Sequence, residues 1–228
     1  MAPTKQAPTR QAITLKGSTN LVTEFFKFAA NTILFQRGVY PADDFHMVKK
    51  YGQTVLVTQD LALENYLERH VLCRVTAVVK DADENAESSN NLLSEWLLTG
   101  SVTQLVLAII SKDSRTTLER WVFDINLVEQ PTNTSEPAPV KPEAEIQAEI
   151  RNILKQIVST VTFLPVIDEP TVFNILTYTT ESADVPADEW VDTDPLAIEA
   201  SKSQQVKLRN FSTDVHRIEA MVAYRYEG

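Results

Sequence analysis

Val102-Thr-Gln-Leu-Val-Leu-Ala-Ile-Ile110 and, beyond a short break, Leu118-Glu-Arg-Trp-Val-Phe-Asp-Ile-Asn-Leu-Val128 are the stretches whose reading decides the fold. The first is unbroken apolar from Leu105 to Ile110, the pattern of a strand buried on both faces. The second alternates, with Trp121, Phe123, Ile125 and Leu127 on one side at period two. Turn-forming residues, Lys112-Asp-Ser-Arg115, lie between them and complete the signal of a hairpin.

Working outward, Ser18 to Arg37 predicts a helix, with Ser18 as its cap, Gly38 as the left-handed residue that ends it and Pro41 as a stop. Leu21, Val22, Phe25, Phe26, Phe28, Ala29 and Ile33 make an apolar stripe too wide for a surface helix, so this helix should be central. Lys49 to Thr58 reads as extended pieces around Gly52, and Asp60 should cap a helix carrying Leu61, Leu63, Tyr66 and Leu67. A proline-rich linker, Glu129 to Pro142, leads to a third helix with Ile146, Ile150, Ile153, Leu154, Ile157, Val158 and Val161 on one face, closed by Pro165. Thr171 to Thr179 reads as a strand; Val206 to Thr213 and His216 to Tyr226 read as two more. Strands grouped as hairpins, with helices around them, indicate an α+β fold in which an antiparallel sheet packs against three helices.

The chain has 228 residues, room for one large domain or two small ones, with ordinary hydrophobic and charged fractions of 43% and 23%. Its 21 Lys and Arg against 31 Asp and Glu give a net charge of −10, which argues against nucleic acid as a partner. The longest apolar run, Leu105 to Ile110, is far short of the roughly 20 residues of a membrane span, so none is expected. Residues 1–12 lack the apolar centre of a secretory signal and read as a mobile tail. A lone cysteine, Cys73, fits a reducing compartment such as cytosol or nucleus.

Five scattered glycines provide no phosphate-cradling loop, and His70 with Cys73 falls short of a metal site. Asp43-Asp44 reads as a cap rather than an acid/base pair. No enzyme chemistry, cofactor or metal is therefore expected. Trp121 should be core, whereas Trp190, isolated in a Glu181 to Glu199 stretch of seven acids and no base, reads as a docking anchor.

Several blocks carry a resemblance: Ile13-Thr-Leu-Lys-Gly-Ser18, Ile33-Leu-Phe-Gln-Arg-Gly-Val-Tyr-Pro41, Lys50-Tyr-Gly52, Leu118-Glu-Arg-Trp-Val-Phe-Asp-Ile125, Val161-Thr-Phe-Leu-Pro165 and Met221-Val-Ala-Tyr224. Together they resemble the HORMA-domain family, in its spindle-assembly-checkpoint branch, over nearly everything from Ile13 to Tyr226. The resemblance implies one domain over residues 13–228, with an atypical insertion at 68–93 and a mobile carboxy-terminal safety belt at 180–228 that wraps an extended peptide. The implied peptide contacts are Val172, Phe173, Asn174, Ile175, Leu176, Thr177 and Tyr178 on the receiving strand, Trp190 in the belt, and Met221, Val222 and Tyr224 near the terminus.

It further implies open and closed states, the terminal hairpin changing sheet edges and displacing the segment around Leu15. Open and closed copies would pair through Lys155, Gln156 and Phe163; Lys155 stands where animal members tend to have arginine. The partners implied are the mitotic-arrest-deficient-one coiled-coil scaffold, the anaphase-promoting-complex activator within the mitotic checkpoint complex, and a second copy of the chain. The implied location is the nucleus, the kinetochore in mitosis, and the cytoplasm. The alternative functions are a HORMA adaptor of translesion DNA synthesis or of the meiotic chromosome axis.

Overall fold

The computed structural model describes residues 13–71, 92–128, 140–185 and 193–226. Its framework is a five-stranded, fully antiparallel sheet in the order β5-β3-β4-β7-β6, formed by β3 (Val102–Ser111), β4 (Thr117–Leu127), β5 (Thr171–Thr179), β6 (Ser203–Ser212) and β7 (His216–Arg225). The two deciding stretches form the β3–β4 hairpin, with Val106 opposite Val122 and Leu107 opposite Trp121. Because side chains alternate along each strand, Leu105, Leu107, Ile109, Trp121, Phe123 and Ile125 enter the main core, and Val106 and Val122 face the other way.

The main core is covered by α1 (Leu15–Gln36), α2 (Leu61–Val71), α3 (Leu92–Thr99) and α4 (Glu143–Ser159). Among the described residues four α-helices stand where the sequence pattern predicted three: α3, which follows residues 72–91 that lie outside the described residues, has no counterpart in that pattern. The central helix begins earlier than expected. Thr14, not Ser18, caps it, its Oγ1 accepting from the Gly17 amide at 3.1 Å. Its end follows the sequence: Gly38 takes φ +64°, the Val39 amide returns to the Leu34 carbonyl and the Gly38 amide to that of Phe35, a Schellman closure.

Phe25 of α1 meets Phe123 and Phe211 edge-to-face, with centroids 5.8 and 4.9 Å apart, so one ring joins helix, central hairpin and terminal hairpin. A separate hairpin, β1 (Phe45–Lys50) with β2 (Gln53–Thr58), turns on Tyr51 and Gly52, both at positive φ. It is tied to α1 by Asn31, whose Oδ1 accepts the Thr58 amide at 2.8 Å, and by the Tyr51 hydroxyl, which donates to Glu24. Asp60 caps α2 as predicted, its Oδ1 accepting from Leu63 N.

The apolar stripe of α4 is shorter than the pattern suggested. Ile146, Ile150, Ile153, Leu154 and Ile157 are buried, but Val158 and Val161 are 43% and 41% exposed. Ser159 ends the helix and a 3-10 turn over Thr160–Thr162 redirects the chain, taking Val161 off the α-helical face, whereas Val158 is still within α4 and exposed there. Leu127, the last residue of β4, is likewise exposed although it pairs with His216. Asp43 and Asp44 lie in a 3-10 turn (Ala42–Asp44) rather than capping a further α-helix.

At the end of α1 sits an ion pair taken out of water. Arg37 Nη2 is 2.5 Å from Glu119 Oε1, with side chains 6% and 3% exposed, and the Trp121 indole N–H donates to Glu119 Oε2 at 3.0 Å. Burial pushes the Glu119 carboxyl above its usual range; Arg37, and then the Trp121 hydrogen bond, pull it back. Arg37 also donates to the Pro165 carbonyl, so one guanidinium joins α1, β4 and the segment after α4. Replacing Arg37 alone strands a buried carboxylate, and Arg37→Met should lower stability by about 3 kcal/mol in urea unfolding. Adding Glu119→Gln should restore most of that loss, because the amide oxygen still accepts from Trp121 without a charge to bury.

Candidate peptide-binding edge and its belt

β5 runs along one edge of the sheet, paired with β3 from Val172 opposite Ile110 to Thr179 opposite Val102. Among the described residues no strand pairs with its other side, so the outward backbone groups form a template for an added strand. Phe173 and Ile175 turn toward the helices, where Tyr40 and Tyr66 meet the Phe173 ring edge-to-face at 6.0 and 5.3 Å. Leu176 and Tyr178 turn to the opposite face, against Val106 and Val122.

Two polar details mark this edge. Burial raises the Tyr66 hydroxyl above its ordinary range, against the pull of a bond from the Ile175 backbone, and the hydroxyl donates to Asn174 Oδ1 at 3.2 Å. Thr177 Oγ1 is buried with no hydrogen-bond partner among the described residues.

The chain leaves β5 and is held twice as it passes on. Thr180 N donates to the Ser101 carbonyl at 2.7 Å, and the Trp96 indole N–H donates to the Asp184 carbonyl at 3.0 Å. Arg120 Nε donates to the Pro195 carbonyl at 3.1 Å. Neither Trp96 nor Arg120 was singled out from the sequence as a site residue. Trp96 lies in a stretch to which the sequence pattern assigns no element and Arg120 at an alternate position of the Leu118 to Val128 strand, so their contacts with the segment after β5 leave no sequence signal. Trp190, expected as the anchor, lies outside the described residues.

The terminal hairpin is on the far side of the sheet. β7 pairs with β4 from Glu119 opposite Tyr224 to Leu127 opposite His216, placing Met221, Val222 and Tyr224 two strands away from β5. Val222 and Tyr224 are buried in the main core, while Met221 joins Val106, Val122 and Leu176 on the opposite face. They stand in the sheet with β3 and β4 between them and β5.

The turn of this hairpin is fastened by several elements. Ser18 Oγ lies 2.6 Å from both Thr213 Oγ1 and His216 Nδ1, and His216 Nε2 lies 3.2 Å from the Leu97 carbonyl. With Nε2 carrying the proton toward Leu97, Nδ1 accepts from Ser18 and the imidazole is neutral. Lys141 Nζ reaches Glu149 and the Ser212 carbonyl, and the Asp214 carboxylate accepts from the Ile13 and Lys141 amides. Leu15, the expected switch residue, is the first residue of α1 and 39% exposed.

Of the expected pairing residues, Lys155 is exposed on α4 and Phe163 is 46% exposed beyond it. Gln156 is engaged within the molecule, its Oε1 accepting from the Arg209 amide at 2.7 Å where the β6–β7 register shifts. Among the described residues, no group of three His, Cys, Asp or Glu could hold a metal ion, and no helix is long and apolar enough to cross a membrane.

Burial lowers the His216 pKa, with the Leu97 hydrogen bond opposing the shift. The unfolded chain therefore takes up a proton near pH 6.5 that the folded chain resists, so stability is retained above that pH and lost as pH falls through it. Urea midpoints from pH 8 to 5 should decline with a slope of at most about 1.4 kcal/mol per pH unit from this residue, and His216→Gln should remove that part of the decline.

Comparison with known proteins places this arrangement. The HORMA domain profile matches residues 18–216. The chain is 45% identical over 213 residues, 93% of each protein, to the mitotic spindle assembly checkpoint protein MAD2A of Dictyostelium discoideum. It is 40% identical over 220 residues, 96% of each, to the protein of that name in Homo sapiens. A chain in the crystal structure of the mitotic checkpoint complex superposes with a TM-score of 0.74 at 39% identity, covering 92% of this chain and 99% of that one. On the profile, the near-complete relatives and the shared fold, the protein belongs to the HORMA-domain family, in its MAD2 spindle-checkpoint branch.

Proposed function

We propose that this protein is a spindle-assembly-checkpoint switch that entraps an extended peptide between β5 and the belt, and so delays anaphase. The observation that carries the reading is the unpaired side of β5 together with the chain that leaves its end and is held at Asp184 and Pro195. A peptide strand adding there gains main-chain hydrogen bonds from the edge, while alternating side chains meet the Phe173 and Leu176 sides of the sheet. Dissociation then requires the belt to open first, which gives slow release without a covalent bond. The partners are the mitotic-arrest-deficient-one scaffold and the anaphase-promoting-complex activator, the second within the mitotic checkpoint complex. The protein works in the nucleus and cytoplasm and at the kinetochore in mitosis, as an adaptor rather than an enzyme.

With the hairpin on β4, this arrangement corresponds to the closed state, the β5 edge being left for the ligand. Reversing the populations of two states from 1:99 to 99:1 takes about 5.5 kcal/mol of differential binding, within reach of a wrapped strand. The relatives near 40% identity are checkpoint proteins, so the translesion and meiotic alternatives have less support.

The direct test is capture of labelled peptides from the scaffold and the activator; failure of the full chain to bind either removes the reading. Deleting Glu219 to Gly228 takes away most of β7, including Ala220, Val222 and Tyr224 from the core, and leaves β6 without its partner. The truncated chain should keep its helices and the β5–β3–β4 ladder by circular dichroism, with reduced stability and rapid peptide release. A second variant addresses pairing between copies. Lys155→Glu with Gln156→Ala should give a monomer by light scattering that still binds peptide, because neither side chain belongs to the buried stripe of α4.

A further inference from the structure

The outer face of the sheet, away from the helices, carries a small apolar cluster of Val106, Val122 and Leu176, against which Tyr178, Met221 and Leu196 pack. Five of these six side chains come from β3, β4, β5 and β7. Leu196 comes from the belt. Its backbone has φ +50°, a conformation uncommon for a residue with a Cβ, and its amide donates to Asp194 Oδ1 at 2.8 Å, which sets the turn. A left-handed leucine is strained unless its side chain gains something by pointing where that backbone sends it, and here it reaches the cluster.

Arg120 lies beside the same cluster and fixes the segment by its polar atoms. One edge of the guanidinium donates from Nε to the Pro195 carbonyl, immediately before Leu196, and Nη2 donates to the Tyr178 hydroxyl at 2.8 Å. Its Cζ also stands 6.0 Å from the Tyr178 ring centroid. One side chain thus joins the belt, β4 and the strand whose edge receives the peptide. We infer that Arg120 and Leu196 form a clasp that holds the belt shut over the sheet, and that the clasp is complete only while β7, carrying Met221, lies on β4. Belt closure and hairpin position are then coupled through one shared cluster: Leu196 and Met221 both pack on Val106, Val122 and Leu176, and moving the hairpin away opens that cluster to water.

The inference rests on the peptide-capture reading, and two measurements keep the two apart. In the full-length protein without peptide, hydrogen exchange read by mass spectrometry over residues 193–198 should speed up at least tenfold in Arg120→Ala and in Leu196→Ala. Leu196→Gly, which adopts positive φ without strain but has no side chain to seat, should behave as Leu196→Ala does. Met221→Ala should accelerate exchange in the same segment although it leaves Arg120 and Leu196 in place. Arg120→Lys keeps the charge but puts its donors on one nitrogen in place of the planar fork that reaches Pro195 from Nε and Tyr178 from Nη2, and should fall between wild type and Arg120→Ala.

With a labelled activator peptide, dissociation should quicken at least tenfold in the Arg120→Ala and Leu196→Ala variants, with urea midpoints close to wild type. Exchange and dissociation unchanged in both variants would overturn the clasp. Unchanged exchange in Met221→Ala would overturn its coupling to the hairpin. A wild-type chain that captures no peptide would instead sink the capture reading, while the exchange experiment would still decide the clasp.

Discussion

An open antiparallel sheet has two edges, and this chain has one terminal hairpin with which to cover them. The β3–β4 hairpin sits in the middle, β5 borders it on one side, and β7 with β6 borders it on the other. Covering the β4 side leaves backbone donors and acceptors along β5, a liability in most proteins because any extended chain can pair there. On the peptide-capture proposal the same liability is the binding surface. The belt follows from it: a single added strand is held by a row of exposed hydrogen bonds, each worth only about 1 kcal/mol net, and a wrap that must open before release makes that modest energy last.

What holds the hairpin on β4 is a mixture of apolar and polar contacts that only this arrangement assembles. Phe211 completes the aromatic group around Phe25, and Val222 and Tyr224 extend the core begun by Trp121 and Phe123. At the turn, Ser18, Leu97 and Lys141 come from three separate parts of the chain to satisfy Thr213, His216 and Ser212. Buried polar groups with specific partners penalise neighbouring arrangements, since a shifted hairpin would leave them unpaired. The Arg37–Glu119 pair has the same character at the other end of α1, where its geometry joins helix, strand and the segment after α4.

Much of the fold was legible beforehand, and the misses share a cause. The hairpin of Val102 to Val128, the end of α1 at Gly38, the Asp60 cap and the β5 strand all rest on local chemistry: periodicity, a capping side chain, a residue that tolerates positive φ. The errors lie where a tertiary contact redirected a local preference. Ser18 has the chemistry of a cap but is drawn inside by Thr213 and His216, nearly two hundred residues away, which leaves the cap to Thr14. Val161 continues a helical stripe on paper, yet the helix stops at Ser159. Of the candidate site, β5 could be read as a strand; the contacts of Trp96, Arg120 and Leu196 could not, because nothing in a buried tryptophan, a strand arginine or a loop leucine says which distant carbonyl or cluster it will meet.

By itself, the sequence determined the elements and their faces: which segments are strands, which side of each is apolar, and that the segment after β5 is acidic and contains no basic residue to pair with itself. These are properties of residues a few positions apart, set by the 3.6 and 2.0 periods of the backbone and by the chemistry of caps and turns. The tertiary structure alone decided which sheet edge the terminal hairpin occupies and therefore which edge remains for a ligand. Both edges are strands of similar pattern, so local preference cannot choose between them; the choice depends on contacts between residues far apart in the chain, from Phe25 to Phe211 and from Ser18 to His216.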